Sequence, residues 1–216
     1  MKSSVKLVVA ILIVFVFSSL LITCGILNSI TDSFYNFFED PNEANYEYKI
    51  GDRGPAGGII FHRRIDENGR YYLEAAPNDL SRAQWGLLGI RANVTSGSST
   101  IGIGKQNTEN LVDALKNNGE RGRAAQLCNE FTLNGFRDWF LPSYDEILHM
   151  YNNLRKQGLG GFRNDLYWSS SQGDLLMGTH NAFAKDFNIE TSGQYLGIFG
   201  KDMLCSVRPI RMFTIN

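Results

Sequence analysis

Three histidines, two adjacent arginines, three tryptophans and three cysteines carry most of the chemistry open to this chain. His62, His149 and His180 are scattered, without the paired spacing of His-Glu-x-x-His, so no metal site is expected. Asp138, Asn164 and Asp165 are the oxygen donors left for calcium, and they form no ligand pattern. No Gly-x-Ser-x-Gly elbow occurs, and no cysteine has a nearby histidine in a recognised arrangement, so no catalytic residue is nominated. Gly102-Ile-Gly104-Lys105 lacks the spacing with which a glycine loop and lysine cradle phosphates. Gly54-Pro-Ala-Gly57-Gly58 precedes a strand instead of opening a helix, unlike a dinucleotide fingerprint. These glycines are read as turn formers, and no cofactor is expected.

Binding remains. Trp85 lies among loop signals and is the candidate for an exposed aromatic platform, whereas Trp139 and Trp168 sit in apolar or strand contexts and are read as core. Arg63 and Arg64 follow His62 and make a small basic spot for a ligand. Arg208 and Arg211 alternate with apolar residues near the C-terminus and are expected to pair internally with Asp138, Glu146 or Glu74.

The cysteines divide by position. Lys2 and Lys6 open a leader that is apolar from Leu7 to Ile22 apart from Ser18 and Ser19, the form of a secretory signal. The run is short for a spanning helix. It ends in Leu21-Ile22-Thr23-Cys24-Gly25, which resembles the lipobox of bacterial lipoproteins. That resemblance implies cleavage before Cys24 and lipidation of its thiol, several acyl chains being needed for stable anchoring. An exported body would sit where disulfides persist. Cys128 and Cys205 are therefore expected to bridge, two separate buried thiols being the alternative.

The chain has 216 residues with 43% apolar and 20% charged, neither a disordered tail nor a polytopic membrane protein. Its formal charge of −1 argues against a nucleic-acid partner. Loss of Lys2 and Lys6 with the leader leaves a mature charge of −3. The expected organisation is a signal peptide over 1–23, a tether over 24–47 and a globular body over 48–216. Ile30, Phe34, Phe37 and Phe38 give the tether helical apolar spacing. In the body, Ile59-Ile-Phe61 starts a strand, Asn68-Gly69 a hairpin turn, and Arg70–Ala76 the return strand. Residues 91–106 read as a long loop. Asn107 or Thr108 caps a helix stopped by Asn118-Gly119, and Ala124–Phe131 carries a second. Ser143 and Glu146 form a capping box for a third. Short strands follow at Tyr167–Ser170, Ala182–Phe187, Gln194–Phe199 and Ser206–Phe213. The order implies an α+β domain.

Several segments together resemble one family. They are Gly54-Pro-Ala-Gly-Gly-Ile-Ile-Phe61, Tyr72-Leu-Glu-Ala-Ala-Pro77, Asn107-Thr-Glu109, Asp138-Trp-Phe-Leu-Pro-Ser143 with Glu146, Tyr167-Trp-Ser-Ser170 and Val207-Arg-Pro-Ile-Arg211. Their order and spacing over residues 48–214 are similar to the domain named for the C-terminus of the Legionella collagen-like protein, the Lcl C-terminal domain. The resemblance implies a C-type-lectin-like fold, with a twisted antiparallel sheet, flanking helices and paired terminal strands. It suits a Cys128–Cys205 bridge, and it implies surface adhesion with glycan or polyanion binding. The acidic body and the absence of a collagen repeat stand against polyanions. The Glu-Pro-Asn and Trp-Asn-Asp elements of calcium-dependent lectins are missing, Trp168 being followed by Ser169-Ser170. Formylglycine-generating enzymes share the fold, but their cysteine pair has no counterpart if the three cysteines are used as above.

The expectation is a non-catalytic, lipid-anchored protein of the bacterial cell envelope, at the outer membrane or cell surface, binding a glycan or an envelope or host protein. A structural envelope lipoprotein is the alternative, and an enzyme the remoter one. Cys24→Ser should abolish palmitate labelling and release the protein from the membrane fraction; unchanged labelling would refute the lipid anchor.

Overall fold

Hydrophobic alternation and one buried ion pair fix the first sheet. The computed structural model describes residues 47–66, 69–95, 101–173, 179–190 and 196–215. Cys24, the leader, the tether as far as residue 46 and the hairpin-turn residue Asn68 lie outside them. The chain divides after Glu47, and Tyr48–Asn216 is one compact unit. Strands β1 (Ile59–Asp66) and β2 (Gly69–Ala75) pair antiparallel, from Ile59 opposite Ala75 to Asp66 opposite Gly69. The register shifts between Ile60 and His62. This bulge lets the consecutive Ile60 and Phe61 both be buried.

The closing strand, β6 (Ile210–Ile215), pairs with β2, and β1 takes the outer edge of a β1-β2-β6 sheet. The expected direct pairing of first and last strands is thereby corrected. The reason lies in the side chains. Arg211 stands directly opposite Glu74 in the register, and its Nη1 donates to Glu74 Oε1 at 2.9 Å. Arg211 Nε also donates to Asp138 Oδ1 at 2.6 Å. Both partners belong to the set expected for this arginine.

Helix α1 spans Gly104–Asn117, α2 Ala124–Glu130 and α3 Tyr144–Asn153. The capping box at α3 forms as expected: Ser143 Oγ accepts from Glu146 N, and Glu146 Oε2 accepts from Ser143 N at 2.7 Å. Glu146 does more than cap its own helix. Its Oε1 accepts from Gly102 N at 2.8 Å, and Gly104 N also donates to its carboxylate. α1 therefore starts at Gly104, before Asn107 and Thr108. Those two are buried and tie the helix sideways, Asn107 Oδ1 accepting from Thr95 N and Thr108 Oγ1 accepting from Leu141 N. A Cβ on Gly104 would lie 2.1 Å from Glu146 Oε2, so this position requires close approach more than a turn.

The second sheet has the order β3-β4-β5, from β3 (Leu166–Gln172), β4 (Asn181–Asp186) and β5 (Leu196–Gly200). Among the described residues the domain is thus α+β, with two small antiparallel sheets and three helices. One apolar cluster gathers Trp85, Trp168, Leu111, Leu115 and both described cysteines. Another packs Phe61, Leu73 and Ile210 against Ile147 and Met150 of α3, with Tyr167 and Phe187 beside them. Trp139 and Trp168 are core, as expected.

Arg208, 1% exposed at its side chain, joins the two sheets. Its partner is Asp79, outside the set expected for it: Nε and Nη2 each lie 2.6 Å from Asp79 Oδ1. Tyr167 Oη of β3 donates to Asp79 Oδ2 at 2.8 Å. Arg208 Nη1 donates to Ala76 O and Gly160 O, each at 2.8 Å.

Cys128 and Cys205 are both buried and unbridged in this structure, where a bridge was the expectation. Each packs as a small apolar group in the same cluster. Burial pushes the Cys128 thiol well above its ordinary range, and burial followed by the nearby Asp165 pushes Cys205 up to about 12. The thiolate needed for exchange is scarcely populated in the fold. Asp79→Ala would leave Arg208 buried and uncompensated, with an expected stability loss of about 3–5 kcal/mol in urea denaturation. A change within about 0.5 kcal/mol would show that Asp79 is not what holds the sheets together.

Candidate ligand-binding site

Trp85 is not a surface platform. It is 1% exposed and its Nε1 donates to Ser169 O at 2.8 Å. Its place near loop signals suggested exposure; the loop instead folds over it. The floor of that loop is Lys201, at the end of β5 and itself fully buried, with Nζ 4.7 Å from the Trp85 ring centroid. Lys201 Nζ donates to Ile90 O at 2.7 Å, to Leu87 O at 3.2 Å and to Gln172 Oε1 at 3.4 Å. A buried ammonium is tolerated here because carbonyl oxygens surround it.

The loop over this cation is Gly86–Ala92. Leu87 N donates to Glu120 Oε1 at 2.8 Å, Gly89 N to Thr179 O at 2.8 Å, and Ala92 N to Gln172 Oε1 at 2.8 Å. Leu87 has φ +54°, a left-handed conformation uncommon for a residue with a branched side chain. Such strain persists only where surrounding contacts over-determine it. What the clamped loop presents outward is Leu88, 53% exposed, and Ile90, 38% exposed, followed by the exposed Arg91. No sequence signal marks Lys201 as buried, since its partners are the backbone carbonyls of Leu87 and Ile90 and the side chain of Gln172, all from distant stretches.

Arg63 and Arg64 are both exposed on β1, but they do not form one spot. Arg63 stands opposite Tyr72 and Arg64 opposite Tyr71, so successive side chains point to opposite faces. On the Arg64 face, its guanidinium carbon lies 5.9 Å from the Tyr71 ring centroid. His62 is on the same face, 5.9 Å from Tyr71 between centroids and 4.8 Å from His149 of α3. A guanidinium, two imidazoles and a phenol ring can hold a carboxylate or sulfate group and stack on a sugar ring. Arg64 opposite Tyr71 follows from the antiparallel register of β1 and β2, while His149 reaches His62 through the packing of α3.

Other polar clusters are spent internally. Glu74, fully buried, accepts from Gly58 N at 2.9 Å as well as from Arg211. Burial raises its pKa despite Arg211. Glu146 is likewise raised, by burial above all, against its backbone donors. Among the described residues no group of three or more His, Cys, Asp or Glu side chains could hold a metal ion. Among them, too, no helix is long and apolar enough to cross a membrane. No protein-family model and no curated protein matches the chain.

Burial, reinforced by Arg91, pulls the Lys201 pKa down to about 8. Between that value and the ordinary 10.5 the unfolded chain holds a proton that the folded chain has released. Stability from this group therefore rises with pH across that window. Lys201→Met should remove the rise: the stability difference between the two proteins in urea should change steadily from pH 8 to pH 10. A pH-independent difference would refute a buried, titrating cation beneath the loop.

Proposed function

We propose that this is a lipid-anchored protein of the bacterial cell envelope whose C-type-lectin-like, Lcl C-terminal-like domain binds a ligand without catalysis. The observation that carries the reading is the Gly86–Ala92 loop. A buried cation, a strained leucine and cross-chain hydrogen bonds hold it, and its outward residues are Leu88 and Ile90. Rigid loops on a scaffold are where binding residues concentrate. An apolar pair beside an arginine suits the surface of a protein ligand, with a central apolar contact and a polar rim. Trp85 leaves this role to the loop it supports.

Cys24 supplies the anchor in this reading, and the exported location follows from the leader. Arg64 over Tyr71 favours a second reading, in which an acidic glycan binds at the β1–β2 hairpin. Purified full-length protein in detergent, tested against a glycan array and against solubilised envelope proteins, separates the two. Leu88→Asp should weaken capture of a protein ligand at least tenfold while leaving the melting temperature unchanged. Capture that survives Leu88→Asp and Ile90→Asp would refute the loop as the contact. A glycan signal lost in Arg64→Gln would move the ligand to the hairpin.

A further inference from the structure

Two cations meet at the Gly86–Ala92 loop without a carboxylate between them. Arg91 is exposed beside Leu88 and Ile90, and among the described residues its side chain makes no ion pair or hydrogen bond. Lys201 beneath the loop spends its three donors on Leu87 O, Ile90 O and Gln172 Oε1, none of them charged. Glu120 also reaches the loop, but its carboxylate is already used. Oε1 accepts from Leu87 N at 2.8 Å and Oε2 from Arg123 Nε at 2.7 Å. We propose that this surface takes a protein segment in which an aspartate or glutamate side chain stands beside apolar residues, the carboxylate seated on the Arg91 guanidinium and the apolar side chains on Leu88 and Ile90. The inference rests on the protein-ligand reading of this loop and adds the chemistry of the partner.

Charge complementarity selects this partner over a basic or a wholly apolar one. A basic segment would bring a third like charge to a surface that already holds two, and like charges facing across an interface cost affinity. A wholly apolar segment would strip water from Arg91 and give it no acceptor in return. A carboxylate does the opposite, because the planar guanidinium fork matches it with two parallel donors. Guanidinium is also weakly hydrated, so an apolar contact can close beside it. The anchor of this arginine is fixed before any partner arrives. On one side Ile90 O accepts from Lys201 Nζ at 2.7 Å, and on the other Ala92 N donates to Gln172 Oε1 at 2.8 Å. The two cations also feel each other. Burial first and Arg91 second pull the Lys201 pKa down, against Glu120, and an anion bound at Arg91 offsets the second of these.

The experiment selects binders for full-length protein in detergent from a displayed library of short random peptides, and measures each binder against Leu88→Asp, Arg91→Gln and Arg91→Glu. Peptides chosen by the wild type should carry Asp or Glu next to apolar residues. Their affinity should fall about threefold in Arg91→Gln, the scale of one exposed ion pair removed, and about tenfold in Arg91→Glu, where the attraction becomes repulsion. The same library selected on Arg91→Glu should return Lys or Arg at the place of the acid. Both Arg91 variants should keep the wild-type melting temperature, so a loss of binding reads the contact and not the fold. Peptides that need Leu88 yet bind Arg91→Glu as tightly as the wild type overturn the acidic partner and leave the loop as the contact. A library that yields no binder sensitive to Leu88→Asp overturns the loop reading and this inference together.

Discussion

The buried carboxylate of Glu74 fixes three separate stretches of chain at once. Gly58 N and the more distant Ala56 N reach it from the N-terminal turn, and Arg211 reaches it from the neighbouring strand. Arg211 passes the constraint on to Asp138, and its guanidinium carbon lies 4.2 Å from the Phe136 ring centroid. A carboxylate held this way is costly to desolvate, and charge-assisted bonds offset the cost only when their geometry is complete. The sheet order follows from it, because β6 must lie beside β2 for Arg211 to face Glu74. A Cβ on Gly58 would lie 2.8 Å from both Ala75 O and Glu74 Oε2, so that glycine is part of the same device.

Glu146 repeats the solution without an arginine. Its carboxylate collects backbone N–H groups from the starts of α1 and α3, where helix dipoles already favour negative charge. Two glycine-rich stretches that suggest turns, 54–58 and 102–104, are thus also the surfaces that let backbone approach two buried acids. The resulting scaffold leaves Arg63 and Arg64 of β1 and Leu88 and Ile90 of the Gly86–Ala92 loop exposed.

Local rules reached much of this. The Ser143–Glu146 spacing located α3, the apolar run at Ile59 and the return strand from Arg70 anticipated the β1–β2 hairpin, and alternation on the last strand foretold the internal pairing of Arg211. What escaped depends on contacts between distant stretches. Trp85 is buried because Lys201, over a hundred residues later, draws the following loop across it. α1 begins earlier than Asn107 because the acid serving its N-terminus comes from another helix. Arg208 chose Asp79 because Tyr167 of the second sheet also needed that carboxylate. The disulfide expectation rested on the compartment and on the family resemblance, neither of which is a contact between the two side chains; both thiols lie in the apolar cluster unbridged.

The strained, clamped loop has an energetic implication for recognition. Its shape is set when the domain folds, so a ligand meeting Leu88 and Ile90 has little backbone to order. The entropy cost of ordering is met in folding and subtracts from the stability of the domain, not from the affinity. In the proposed reading, affinity at this surface would be coupled to an interior charge that no ligand touches. Sequence change beneath the loop, at Trp85, Glu120, Gln172 or Lys201, is a route by which relatives of this protein could retune binding while presenting an identical outer face.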